Sequence, residues 1–153
     1  MIVVDVETTG LDPQKHSIVS LGAVDFNDPS RNFYSECAPW VGAEIDPIAL
    51  KINGFTKEEL LDSRRKSLKM VMLEFLEWIQ PCKNKVLVGE NVFFDRDMLN
   101  TAFEKSAISF RFPSRIIDLH SLSCIYHLQQ GKMFPTDNGK SILNTGGSAC
   151  GNG

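Results

Sequence analysis

The chain opens on Ile2-Val3-Val4-Asp5-Val6-Glu7, an apolar run into which two carboxylates are set two positions apart. A β-strand places residues i and i+2 on one face. Val3, Asp5 and Glu7 therefore share a face, and Ile2, Val4 and Val6 form the other, apolar throughout. Seating two carboxylates side by side on such a strand costs on the order of several kcal/mol unless cations or hydrogen-bond donors offset their desolvation and repulsion. A divalent ion offsets both, and magnesium prefers a few carboxylate oxygens together with water and phosphate. Two readings follow from these residues alone: charges on an exposed strand face, or the start of a metal site.

The rest of the chain narrows the classes of function. With 153 residues, 42% of them hydrophobic, the chain suits one domain with a substantial core. A net charge of −3 gives no basic stripe that would grip a long polynucleotide by counterion release, so any nucleic acid must be held locally. No apolar stretch approaches the roughly 18 residues of a membrane span, and Met1 to Asp5 lacks a basic signal region, which predicts a cytoplasmic protein without membrane contact. Cys37, Cys82, Cys124 and Cys150 form no C-x-x-C pair, and His16, His120 and His127 have no metal-ligand spacing. These are read as ordinary thiols and imidazoles, and the chemistry is left to the acids.

Strand patterns continue over Ile18 to Phe26 and Asn32 to Cys37, separated by the turn-forming Asn27-Asp28-Pro29-Ser30, so an antiparallel meander is predicted. Thr56 and Glu59 form a capping box, with Phe55 and Leu60 placed as a hydrophobic staple, which predicts a helix start. Leu68, Val71, Met72, Phe75, Leu76 and Ile79 mark one stripe of an amphipathic helix ending before Pro81. Val86 to Gly89 suits a buried strand, and Phe94, Met98, Ala102 and Phe103 trace a helix behind it. Arg115 to Asp118 and then Leu119, Leu122, Ile125 and Tyr126 repeat the strand-helix pattern. The order βββ-α-β-α-β-α predicts an α/β domain with a mixed sheet covered by helices.

The string Val4-Asp5-Val6-Glu7-Thr8-Thr9-Gly10-Leu11-Asp12-Pro13 resembles the first motif of the proofreading-type (DEDD) 3′-5′ exonucleases, the family of the DNA polymerase III proofreading subunit and RNase T. Gly89-Glu90-Asn91-Val92-Phe93-Phe94-Asp95 is similar to the second motif, although family members often carry His where Glu90 stands. The resemblance runs from about Ile2 to Leu143. It implies a ribonuclease-H-like fold: a mixed five-stranded sheet, antiparallel meander then parallel strands, with helices on both faces. It implies that Asp5, Glu7 and Asp95 are catalytic and hold two divalent metal ions, Mg2+ or Mn2+. By the same resemblance Thr8, Thr9, Gly10 and Leu11, together with Asn91 and Phe94, bind the terminal nucleotide. The residues agree in kind, since Gly10 allows a close backbone approach, Leu11 can pack on a base, and a helix start favours an ionised Asp95. Ile52-Asn53-Gly54-Phe55-Thr56 more weakly resembles a segment that helps hold the 3′-terminal nucleotide.

The family's last motif, a His or Tyr general base shortly before a fourth Asp, has no match. None of His16, His120, His127, Tyr34 and Tyr126 is followed by an acid at the required spacing, so the general base is unassigned. Lys140-Ser141-Ile142-Leu143-Asn144 looks like the approach to that motif, after which the sequence turns glycine-rich. The expected organisation is an exonuclease domain over 1–145, incomplete at its C-terminus and lacking the final helix, followed by a flexible tail over 146–153. The expected function is metal-dependent removal of nucleoside monophosphates from 3′ ends of single-stranded DNA or RNA. The alternatives are a catalytically silent 3′-end or nucleotide binding module and an incomplete fragment. A polymerase or a second copy of the chain is compatible as partner, and nothing in the sequence marks the interface.

Overall fold

The computed structural model describes residues 1–131 and two short strands beyond them. The elements are β1 (Ile2–Thr8), β2 (Ile18–Asp25), β3 (Asp28–Ala38), α1 (Pro47–Asn53), α2 (Lys57–Leu60), β4 (Lys66–Ser67), α3 (Leu68–Ile79), β5 (Leu87–Gly89), α4 (Val92–Lys105), β6 (Ile116–Asp118), α5 (Leu119–Gln129), β7 (Thr136–Asp137) and β8 (Lys140–Ser141). The main sheet runs β4-β3-β2-β1-β5-β6. β1, β2 and β3 form an antiparallel meander, and β5 and β6 join parallel to β1 and to each other. The mixed α/β sheet is thus as expected, with a sixth strand that the sequence pattern did not signal. Lys66–Ser67 pairs parallel with Cys37 and Ala38 at the edge of β3, and two exposed residues are too few to show alternation.

Burial along β1 alternates as its composition predicts, with Ile2, Val4, Val6 and Thr8 buried and Asp5 exposed. The buried face joins Leu21 and Ala23 of β2 in a core closed by Val71, Phe75 and Ile79 of α3 and Met98, Leu99 and Phe103 of α4. Phe75 is the hub of the aromatic part, with ring centroids 6.5 Å from Phe103, 6.2 Å from Phe112 and 6.0 Å from Trp78. Val19, Leu50 and Leu60 make a second, smaller cluster beneath α1 and α2. α5 buries none of its residues.

Two elements differ from expectation. The capping box at Thr56 forms in full, Thr56 Oγ1 accepting from the Glu59 amide at 3.2 Å and Glu59 Oε2 accepting from the Thr56 amide at 2.8 Å. It starts only one helical turn. α1 was not predicted, yet its signals are present: Asp46 caps it, Pro47 opens it, and Gly54 ends it at φ 76°, a left-handed angle that glycine adopts without strain. No helix among the described residues is long and apolar enough to cross a membrane. The expected boundary at 145, the tail over 146–153 and the missing final helix lie outside the described residues.

Candidate active site

β5 pairs with β1 only at Ile2 and Val3, so the amide of Val6, farther along β1, has no β5 residue opposite it. Asp95 takes this amide: Val6 N donates to Asp95 Oδ1 at 3.0 Å across 89 residues of sequence. Three features bring α4 to that point. Gly89 ends β5, and a Cβ there would lie 2.9 Å from the Val4 carbonyl oxygen, so the lack of a side chain lets the two strands approach. Asn91 then turns the chain at φ 51°, ψ 35°, and α4 starts. Asp118, at the end of β6, holds that turn by accepting the Asn91 amide on Oδ1 at 2.9 Å while its Oδ2 caps α5 through the Ser121 amide at 2.9 Å.

Asp95 is 4% exposed. Burial, and next the charge of Asp5, push its carboxyl up to about 7, against the opposing hydrogen bond from Val6 and with a smaller push from Glu7. The carboxyl of Glu7 is raised as well, first by burial and then by Asp5. The three acids are therefore electrostatic neighbours, and in the absence of a cation each ionised member disfavours the charge of the others. Among the described residues, however, no three His, Cys, Asp or Glu side chains close into a ready metal-holding group. The two facts are compatible, since charges interact over longer distances than the roughly 2.0–2.6 Å of a magnesium or calcium to oxygen bond. A buried carboxyl whose ionised form is disfavoured by burial and by the charges of Asp5 and Glu7 is a donor of the kind that suits a hard divalent cation.

Beyond Thr8 the chain makes a tightly tied turn. The Thr8 hydroxyl donates to Gly10 O at 2.8 Å and the Thr9 hydroxyl to Glu44 O at 2.6 Å, while Thr9 Oγ1 accepts from Ser17 N at 2.9 Å. Asn53 Nδ2 donates to Thr8 O at 2.7 Å, and Asp46 N to Thr9 O at 2.8 Å. Both threonine side chains thus hold the turn, and Leu11, 76% exposed, stands at its tip. The small size of Gly10 has an internal cause besides the close approach expected from the sequence: the side-chain direction is filled by the imidazole of His16.

The second group of expected nucleotide contacts divides. Asn91 is exposed, and its side chain makes no cap hydrogen bond. Phe94 is only partly exposed and packs against the main core, whereas its neighbour Phe93 is 52% exposed with the Arg96 guanidinium 5.5 Å from its ring centroid. Asp97 pairs with Arg96 at 2.8 Å on the helix surface. Sequence reasoning missed Asp118 and His16 as residues that hold the site, because each acts on a backbone group or a volume outside its own element. Asn53 was singled out only within the weakly matching 52–56 segment, and the Asp46-Pro47 and Gly54 signals around α1 would have placed it on a helix.

A family model described as an exonuclease, RNase_T, matches residues 2–134. The 3′-5′ DNA exonuclease Cap18 of Escherichia coli is 30% identical over 125 residues, 79% of this chain and 66% of that protein. The PolC-type DNA polymerase III of Thermotoga petrophila is 34% identical over 106 residues, 68% of this chain and 7% of that protein. The chain thus spans less than two thirds of the length of either relative. Among solved structures, Escherichia coli exonuclease I in complex with a dT13 oligonucleotide superposes with a TM-score of 0.70 over 90% of this chain and 32% of that one, at 20% identity, and so shares the fold.

Proposed function

Since the chain belongs to the RNase_T exonuclease family, we propose that its site removes nucleoside monophosphates from the 3′ end of single-stranded DNA or RNA with two divalent cations, Mg2+ or Mn2+. The observation that carries this reading is the hydrogen bond from the Val6 amide to the buried carboxyl of Asp95, which ties α4 to the strand that bears Asp5 and Glu7. These three would hold the cations. When bound, such ions neutralise phosphate charge and acidify water. The Val6 amide, donating to Asp95 Oδ1, orients that carboxyl for the role. Leu11 offers an apolar surface for the terminal base, Gly10 gives its backbone, and Thr8 and Thr9 hold the turn that presents them. Asn91, Phe94 and the exposed ring of Phe93 lie at the start of α4, the helix that carries Asp95. Recognition by stacking and phosphate contact with little base readout agrees with a chain of net charge −3. A cytoplasmic setting goes with this reading, and a polymerase or a second copy is a compatible partner.

The test is incubation of the full chain with end-labelled single-stranded DNA and RNA and Mg2+ or Mn2+, beside an Asp5→Ala control. Stepwise 3′ shortening by the unmodified chain alone is expected. Metal-dependent binding of a nucleoside monophosphate without shortening would instead identify a silent 3′-end binding module, and neither binding nor shortening would overturn both readings.

A further inference from the structure

An ideal Cβ on Gly10 would lie 2.3 Å from His16 Cδ2, 2.4 Å from Nε2 and 2.7 Å from Cγ, well inside any real contact. The imidazole therefore rests against the Gly10 backbone. On its other side, His16 Nδ1 is 3.0 Å from the Asp12 amide and 3.1 Å from the Asp12 carbonyl oxygen. That carbonyl already accepts from Lys15 N at 3.0 Å and His16 N at 2.8 Å, whereas the amide needs an acceptor. Nδ1 accepting from the amide, with the proton on Nε2, is the arrangement that satisfies both. The backbone that carries the ring is tied down as well: the His16 carbonyl accepts from Trp40 Nε1 at 3.4 Å, and His16 bridges in parallel to Glu44, whose carbonyl receives the Thr9 hydroxyl.

We infer that His16 is the positioning residue of the Gly10–Asp12 turn, fixing Leu11 at its tip by filling the volume beside Gly10 and accepting the Asp12 amide. The inference rests on the preceding reading only where it concerns substrate. Leu11 stands between the two backbone points that His16 contacts, so a loosened turn alters how the terminal nucleotide is seated more than how the reacting phosphate is attacked. The effect belongs in KM rather than in kcat.

The experiment uses the full chain with His16→Ala, His16→Asn, Gly10→Ala and the Gly10→Ala/His16→Ala double variant. His16→Ala should speed hydrogen exchange of the Asp12 amide about five- to tenfold, as expected for one lost hydrogen bond, with exchange in β1 and α3 unchanged. His16→Asn, whose Oδ1 can accept the same amide, should restore much of that protection. Gly10→Ala should lower Tm when His16 is present and have little effect when position 16 is alanine, because the clash is with the ring. For trimming, His16→Ala should raise KM roughly three- to tenfold and change kcat less than about twofold. Unchanged Asp12 exchange in His16→Ala, or an equal cost of Gly10→Ala in both backgrounds, would overturn the inference. If the unmodified chain does not trim at all, the exonuclease reading fails, and the exchange and Tm results alone decide the role of His16.

Discussion

At the scale of single residues, Asp95 is where stability and the proposed chemistry oppose each other. In the folded chain its carboxyl is pushed up to about 7, whereas in the unfolded chain it ionises near the ordinary value of about 3.9. Between those values the folded state binds more protons than the unfolded one. The stability contributed by this group is therefore full below about pH 4, falls as pH rises to about 7 and stays low above that. Asp95→Asn keeps an acceptor for the Val6 amide and removes the charge. In the presence of a chelator, this variant should melt at a higher temperature than the unmodified chain at pH 8, with the difference vanishing toward pH 4. Magnesium at pH 8 should raise the Tm of the unmodified chain and not that of the variant, whose trimming should fall to the level of Asp5→Ala. A melting series over pH with and without Mg2+ checks both. The candidate acids were legible as a pattern of residue types, because two carboxylates on one strand face need an explanation wherever they occur. The upward push on the Asp95 carboxyl was not legible, since it comes from burial and from the charge of Asp5, far away along the chain.

Among the elements, the sharp turn from β5 into α4 matters most for the site. Gly89 lies against the Val4 carbonyl, with Val92 carbons 3.4 Å from where its Cβ would be. Gly89→Ala has to push β5 off β1 or displace the first turn of α4, and overpacking of this kind costs about 1–3 kcal/mol. The expected result in chemical denaturation is a lower midpoint with an unchanged slope, accompanied by loss of trimming larger than the stability loss explains, because Asp95 moves with α4. The capping box at Thr56 predicts a milder outcome: Thr56→Ala should cost about 1 kcal/mol and leave kcat unchanged, read by the same denaturation and by initial trimming rates. α3 was read from its stripe because Leu68, Val71, Met72, Phe75 and Ile79 all face the core. α1 escaped the same reading, since seven residues carrying one buried side chain, Leu50, give no periodicity to detect.

For the whole molecule, burial is uneven. α3 and α4 share one core with the sheet, while α5 leaves Leu122 49%, Ile125 54% and Leu128 71% exposed. Phe75→Ala should therefore cost about 3–5 kcal/mol, and Ile125→Ser within about 0.5 kcal/mol, a contrast that thermal melts of the two variants would show directly. Apolar residues at helical spacing in both segments led to opposite surroundings in the fold. An apolar stripe says that a helix has a face to cover, and only the arrangement of its neighbours says whether it is covered. What the amino-acid sequence determined by itself is local: the alternation that places Asp5 and Glu7 on one face of β1, the capping box that starts α2, and the family motifs around Asp5 and Asp95. Each depends on spacings of a few residues, within reach of one strand or one helical turn. The tertiary structure alone decided that Asp95 would meet the Val6 amide, that Asp118 would hold the entrance to α4, and that His16 would fill the space beside Gly10. Those contacts depend on strand order and on volume shared by segments distant along the chain or folded back on themselves, and neither is encoded in the spacing of residue types.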